Sequence, residues 1–190
     1  LLHRCEAVGA VLAVDECFLD FLPEGQSLSA KRLLSTSSHL VVLKAFTKLY
    51  GMAGVRLGYC LCADEGRLAR MQAAGQPWAV SSLAQTAGIA ALDETEYVAQ
   101  VRALIEAQRP VLANGLQALG LRVIEGRANY LLFQAPEALG NALRQKGAVL
   151  RGCGNYPGLD AGWYRTAVRT ETENRQLLAL LAETLPEVRQ

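Results

Sequence analysis

Ala10-Val11-Leu12-Ala13-Val14-Asp15 is an unbroken apolar run that ends on an acid. With its flanks, Gly9 to Glu16, it reads as a buried parallel strand, because strands covered on both faces lose the usual alternation. An acid at the end of such a strand is costly to keep ionised unless a cation meets it. His39 to Leu43 is a second apolar, β-branched strand, and Arg56 to Cys62 a third. Strands joined by helical or looped crossovers predict an α/β fold with a mostly parallel sheet. In such sheets ligands bind beyond the carboxyl ends of the strands. Asp15 and Lys48 both fall just past such ends, and Arg56 opens the next strand.

Phe46-Thr47-Lys48 is followed eight residues later by Arg56, across a stretch broken by Gly51, Gly54 and Gly58. Glycines let a backbone turn tightly beside a ligand. A lysine in this setting suits an amine that holds an aldehyde cofactor as a Schiff base, with the arginine holding its phosphate. A protonated pyridine nitrogen would be the cation that Asp15 needs. Blander readings stay open. Lys48 could be a surface lysine, and Lys44 is a rival four residues earlier. Asp15 could cap a turn, and Arg56 could pair with any surface carboxylate.

The 190 residues suffice for one large domain or two small ones. The composition, 51% hydrophobic and 19% charged with a net charge of +1, is that of a globular protein and gives no footprint for nucleic acid. No segment approaches an uninterrupted apolar membrane span, and the opening residues lack the order of a signal peptide. Five scattered cysteines and 2 histidines argue for reduced cytosolic thiols and against a metal site. Leu1 to Ala7 reads as the tail of a helix, as if cut from something longer.

Further along, Ser27 to Leu34 is a short helix or turn. Asp64 caps a helix to Ala74, and Ser81 or Ser82 caps the next, to Leu92. Glu94 to Leu119 has a helical period, with a kink or break expected at Pro110. After Gly120 come short strands at 121–124, 129–133, 148–151 and 164–168, with helices at 136–146 and 172–185. This is a small α+β lobe over residues 115–190. It carries Arg151, Arg165 and Arg169; the last two would share a face if their segment is a strand. Arginines clamp carboxylates and phosphates, so the group suits a doubly anionic substrate or, equally, a solvated strand edge.

Together these residues resemble the fold-type-I, pyridoxal-phosphate-dependent aminotransferase family (class I/II). The resemblance runs from Val14-Asp15-Glu16 through Thr47-Lys48 and Gly54-Val55-Arg56-Leu57-Gly58 to the arginine lobe. Gln76-Pro77-Trp78-Ala79-Val80, Gly126 to Leu132, and Asn155 to Asp160 followed by Tyr164-Arg165 point to a branch acting on a small amino-acid phosphate. It implies that residues 1–114 are the C-terminal portion of a cofactor-binding large domain and 115–190 the small C-terminal domain. Lys48 would hold pyridoxal 5'-phosphate and move protons at the substrate's α-carbon. Asp15 would bond the ring nitrogen, Arg56 the cofactor phosphate, with Thr47 beside them. Arg165 would clamp the substrate carboxylate and Arg151 its second anionic group; for Arg169 a substrate contact is only a guess. Phe18 and Ala45 stand where members often carry a tyrosine and a small hydroxyl residue, which would weaken cofactor contacts. Members are much longer, cytoplasmic and usually homodimeric, so the chain is expected to be a C-terminal half.

Overall fold

The computed structural model describes residues 1–189. The chain divides into two compact units, Leu1–Ala99 and Gln100–Gln190. This division and the boundary expected at 114/115 both fall within one helix, α5 (Thr95–Ala118).

The first unit opens with α1 (Leu2–Ala7) and holds a three-stranded sheet of β1 (Leu12–Asp15), β2 (Leu40–Ala45) and β3 (Gly58–Cys62), in that order. β1 runs parallel to β2, with Asp15 beside Leu43. β3 runs antiparallel, with Ala45 opposite Gly58 and Val41 opposite Cys62. The sheet of this chain is therefore mixed, not mostly parallel. The reason lies in the link from 46 to 57. It contains a single 3-10 turn, Ala53–Val55, and no crossover helix, so β3 folds straight back beside β2. β1 is also shorter and less covered than its apolar run suggests. It lies at the sheet edge, and Ala13 and Asp15 are exposed. The central strand takes the burial instead: Leu40 and Val42 have no exposed surface.

A short α2 (Gly25–Leu28) and a 3-10 turn, Ala30–Leu33, link β1 to β2. Two helices follow β3: α3 (Glu65–Ala74) and α4 (Ser82–Asp93). Both begin where a side chain satisfies an orphan amide, Asp64 accepting from Arg67 N and Ser81 from Ala84 N.

The second unit is an antiparallel sheet in the order β4 (Arg122–Ile124), β5 (Tyr130–Gln134), β7 (Trp163–Ala167), β6 (Arg151–Gly152), with α6 (Leu139–Gln145) and α7 (Glu171–Val188). Its core gathers Leu112 and Leu116 from α5, Phe133 from β5, Leu139 and Leu143 from α6 and Leu181 from α7, all without exposed surface. Each such side chain contributes about 1.5–3 kcal/mol by leaving water. That packing carries α5 through Pro110 unbroken. The strand expected from Ala148 begins only at Arg151. Gly147 turns at a φ of 85°, and Ala148 N still bonds back to Leu143 O at the end of α6.

Candidate active site

The segment 46–57 that carries Lys48 is pinned from beneath. Phe46 and Leu49 are buried, while Lys48 is exposed. The Tyr97 hydroxyl donates to the Leu49 carbonyl (3.0 Å), and the Phe46 ring stacks on Tyr50 (5.3 Å between centroids) and Tyr50 on Tyr97 (6.4 Å). Gly58 is needed where β3 meets β2, because a Cβ there would lie 3.0 Å from the Lys44 carbonyl oxygen. Arg56 does not open β3 but precedes it. It adopts the left-handed conformation (φ 59°), and its Nη1 donates to the Ala53 carbonyl (3.1 Å). That conformation costs a non-glycine residue about 1 kcal/mol, and it turns an exposed guanidinium back along the loop that holds Lys48.

Asp15 ends β1 with its carboxylate exposed and one oxygen accepting from Cys17 N (2.9 Å). Hydrogen bonds from Cys17, side chain first and then backbone, hold it below the ordinary carboxylate range, so it is ionised at neutral pH. Burial, and then the bond to Asp15, push the Cys17 thiol up to about 11, while the charge of Lys48 opposes the rise. The Lys48 ammonium lies 5.8 Å from the centre of the Phe18 ring, a cation–π distance. The structure thus brings Lys48 to the turn that begins at Asp15. Among the described residues no carboxylate is within ion-pair distance of Lys48.

Lys44 is different. Its Nζ sits 3.1 Å from Glu16 Oε2 and 2.9 Å from Asp20 Oδ1, and the residue is 8% exposed. Burial alone would lower its ammonium, but the bonds to Asp20 and Glu16 outweigh that and raise it. A lysine so held is kept protonated, which suits it poorly to act as a nucleophile. Glu16 and Asp20, and Ser29, which donates to Glu16, are groups that the sequence reading missed. The signal was Lys44 itself, a cation at an inward position of an apolar strand, which must find carboxylates.

In the second unit Arg151 and Arg165 are direct cross-strand partners. Arg165 lies flat over Tyr130, 4.8 Å from the ring centre. Arg151 Nη2 reaches Asn155 Oδ1 at 3.4 Å. Arg169 does not join them on the strand face, because β7 stops at Ala167. Its guanidinium pairs with Glu173, and its amide donates to Asn174 Oδ1.

An exposed lysine, an ionised acid at the end of β1 and a guanidinium on the lysine's own loop are the residue types that an aldehyde cofactor calls for. The chain belongs to the aminotransferase class I and II family, which matches residues 1–181. That family is pyridoxal-phosphate-dependent. Threonine-phosphate decarboxylase of Salmonella typhimurium is 35% identical over 186 residues, covering 96% of this chain and 50% of that protein. Histidinol-phosphate aminotransferase of Symbiobacterium thermophilum is 35% identical over 180 residues, covering 93% and 48%. The crystal structure of histidinol-phosphate aminotransferase from Clostridium acetobutylicum shares the fold at a TM-score of 0.90 and 28% identity, over 98% of this chain and 57% of that one. The chain spans about half the length of the curated relatives it matches. No helix among the described residues is long and apolar enough to cross a membrane.

Proposed function

We propose that this chain carries the lysine half of a pyridoxal-phosphate site that decarboxylates L-threonine O-3-phosphate to an aminopropanol phosphate, a step of cobalamin biosynthesis. The carrying observation is the contrast between two lysines on one segment: Lys44 is saturated by carboxylates, whereas Lys48 is exposed, with its ammonium over Phe18 in the turn that follows ionised Asp15. This donor set fits the cofactor. Lys48 offers the amine for its aldehyde carbon, Asp15 the acceptor for its ring N–H, and Arg56 and Thr47 the donors for its phosphate. When bound, pyridoxal phosphate draws electrons from the substrate's α-carbon. Asp15 keeps the ring nitrogen's proton in place. Lys48 delivers a proton at the α-carbon. Arg165 binds the substrate carboxylate and Arg151 its phosphate. Residues 1–114 serve the cofactor and 115–190 the substrate, in a homodimer.

The likeness to a threonine-phosphate decarboxylase supports this substrate. A second reading, amino transfer from histidinol phosphate to a keto acid such as 2-oxoglutarate, is favoured by the match to a solved histidinol-phosphate aminotransferase. Both readings need Lys48. The first test is the absorbance of the chain with added pyridoxal phosphate, before and after borohydride, in wild type and Lys48→Ala. A band reduced onto Lys48 and lost in the variant is expected. No band in either protein would leave a cofactor-free structural or interaction module. Carbon dioxide release against 2-oxoglutarate consumption then separates the two reactions.

A further inference from the structure

Buried Lys44, Glu16 and Ser29, with half-buried Asp20, form a polar cluster that the proposed chemistry does not use. Glu16 follows Asp15 directly, and its amide donates to the Leu43 carbonyl (2.9 Å), extending the β1–β2 pairing by one rung. Its carboxylate then turns inward. It accepts from Ser29 Oγ (2.7 Å), from Ala30 N (2.6 Å) and from Lys44 Nζ (3.1 Å). Lys44 reaches a second point of the same excursion at Asp20 (2.9 Å). One ammonium on β2 therefore ties down both the start and the middle of the 16–30 segment, and Glu16 ties down its end. Every group in the cluster has a partner, as a buried network must if it is to order the chain.

The placement of the cluster gives it a consequence for the site. It is one residue from the acid and four from the exposed lysine. Asp15 itself is exposed and held only through Cys17. Among the described residues no other bond holds its side chain, so its position depends on how firmly the turn behind it is held.

We propose that Lys44 is a positioning residue: by bridging Glu16 and Asp20 it fixes the turn that carries Asp15 at the distance from Lys48 that the site requires. This rests on the reading of Asp15 and Lys48 as the cofactor-holding pair, but its geometric part can be tested without cofactor. Cys17 supplies the reporter, because its amide donates to Asp15 and its thiol lies in the same turn. Cys153, buried in the second unit, supplies the control.

The experiment compares wild type, Lys44→Met and Lys44→Arg by hydrogen exchange at the Cys17 amide and by peptide-mapped alkylation of Cys17 and Cys153. In Lys44→Met, exchange and alkylation at Cys17 should accelerate by about tenfold or more, as local opening predicts, with Cys153 still protected. Loss of the lysine's charge alone would act the other way, since Lys44 lowers the Cys17 pKa. Lys44→Arg, which keeps the charge and two donors, should restore wild-type rates. Wild-type rates in Lys44→Met would overturn the proposal. If Lys44→Met also exposes Cys153, it has lost its fold, and Asp20→Asn decides: faster Cys17 exchange with Cys153 protected supports the proposal, and unchanged exchange overturns it. A final arm adds pyridoxal phosphate and borohydride. Slower labelling of Lys48 in Lys44→Met completes the case. A turn that loosens in a protein whose Lys48 is never labelled would instead fail the cofactor reading and leave the turn geometry standing.

Discussion

Arg151 and Arg165 face each other across the β6–β7 pairing, so both side chains leave the same face of the sheet. Two guanidinium groups placed side by side repel unless an anion lies between them. Tyr130 offsets part of that cost by stacking under Arg165, which also keeps its fork in one plane.

Arg165→Lys and Arg151→Ala should each weaken L-threonine O-3-phosphate binding to the cofactor-loaded protein about tenfold or more, the worth of one charge-assisted hydrogen bond. Arg169→Ala should leave it unchanged, because Arg169 is engaged with Glu173. Calorimetric titration of the three variants decides the matter. An effect of Arg169 equal to the other two would mean that the wrong pair has been assigned.

Arg56 combines a strained backbone with an exposed cation. Arg56→Gly should hold or raise the melting temperature, since glycine adopts this conformation freely. The same change should slow capture of pyridoxal phosphate far more than capture of unphosphorylated pyridoxal. Borohydride trapping with both aldehydes measures the ratio, and equal slowing would show that Arg56 does not hold a phosphate.

Asp15→Asn keeps an oxygen for the Cys17 amide but removes the negative charge. The Cys17 thiol should then titrate below about 11, yet above an ordinary cysteine, because burial is the larger cause of its rise. The rate of alkylation against pH gives the midpoint directly. An unmoved midpoint would mean that the two groups do not interact.

α7 starts from a capping box in which Thr170 and Glu173 satisfy each other's backbone amides. Thr170→Ala should cost about 1 kcal/mol, read from the urea midpoint at pH 7. Bonds from Thr170 and then Arg169 hold Glu173 below the ordinary carboxylate range. A depressed carboxylate stabilises above its unfolded pKa, and that stabilisation is lost as pH falls through the folded one. The gap between wild type and Thr170→Ala should therefore narrow below pH 4. A gap that stays constant down to pH 2 would contradict this cap.

The sequence was most legible where chemistry is local. Asp64 and Ser81 cap the helices expected of them, since an acceptor before a helical run has one geometry to satisfy. Asp15 and Lys48 fall at strand ends, as the apolar runs implied. Strand direction was not legible from those runs. Val41 to Leu43 would be apolar beside a parallel or an antiparallel neighbour, and only the lack of a helical period between Lys48 and Gly58 carried the answer. Pro110 misled because its local cost is outweighed by the burial of Leu112 and Leu116 on either side of the next turn. Arg169 misled because strand length, unlike strand existence, depends on where α7 is capped.

The lysine segment also has a place in the order of folding. Ala45 and Gly58 close its base, and Phe46 N bonds Leu57 O (3.2 Å). Closing so short a loop is entropically cheap and fast. The acid arrives differently, through a parallel pairing that joins Asp15 to Leu43 across the whole 16–39 excursion. Contacts separated so far along the chain form late. In pulse-labelled refolding the Phe46 amide should therefore gain protection before that of Glu16. The amine and the cation on its loop would be in register while the acid is still being delivered.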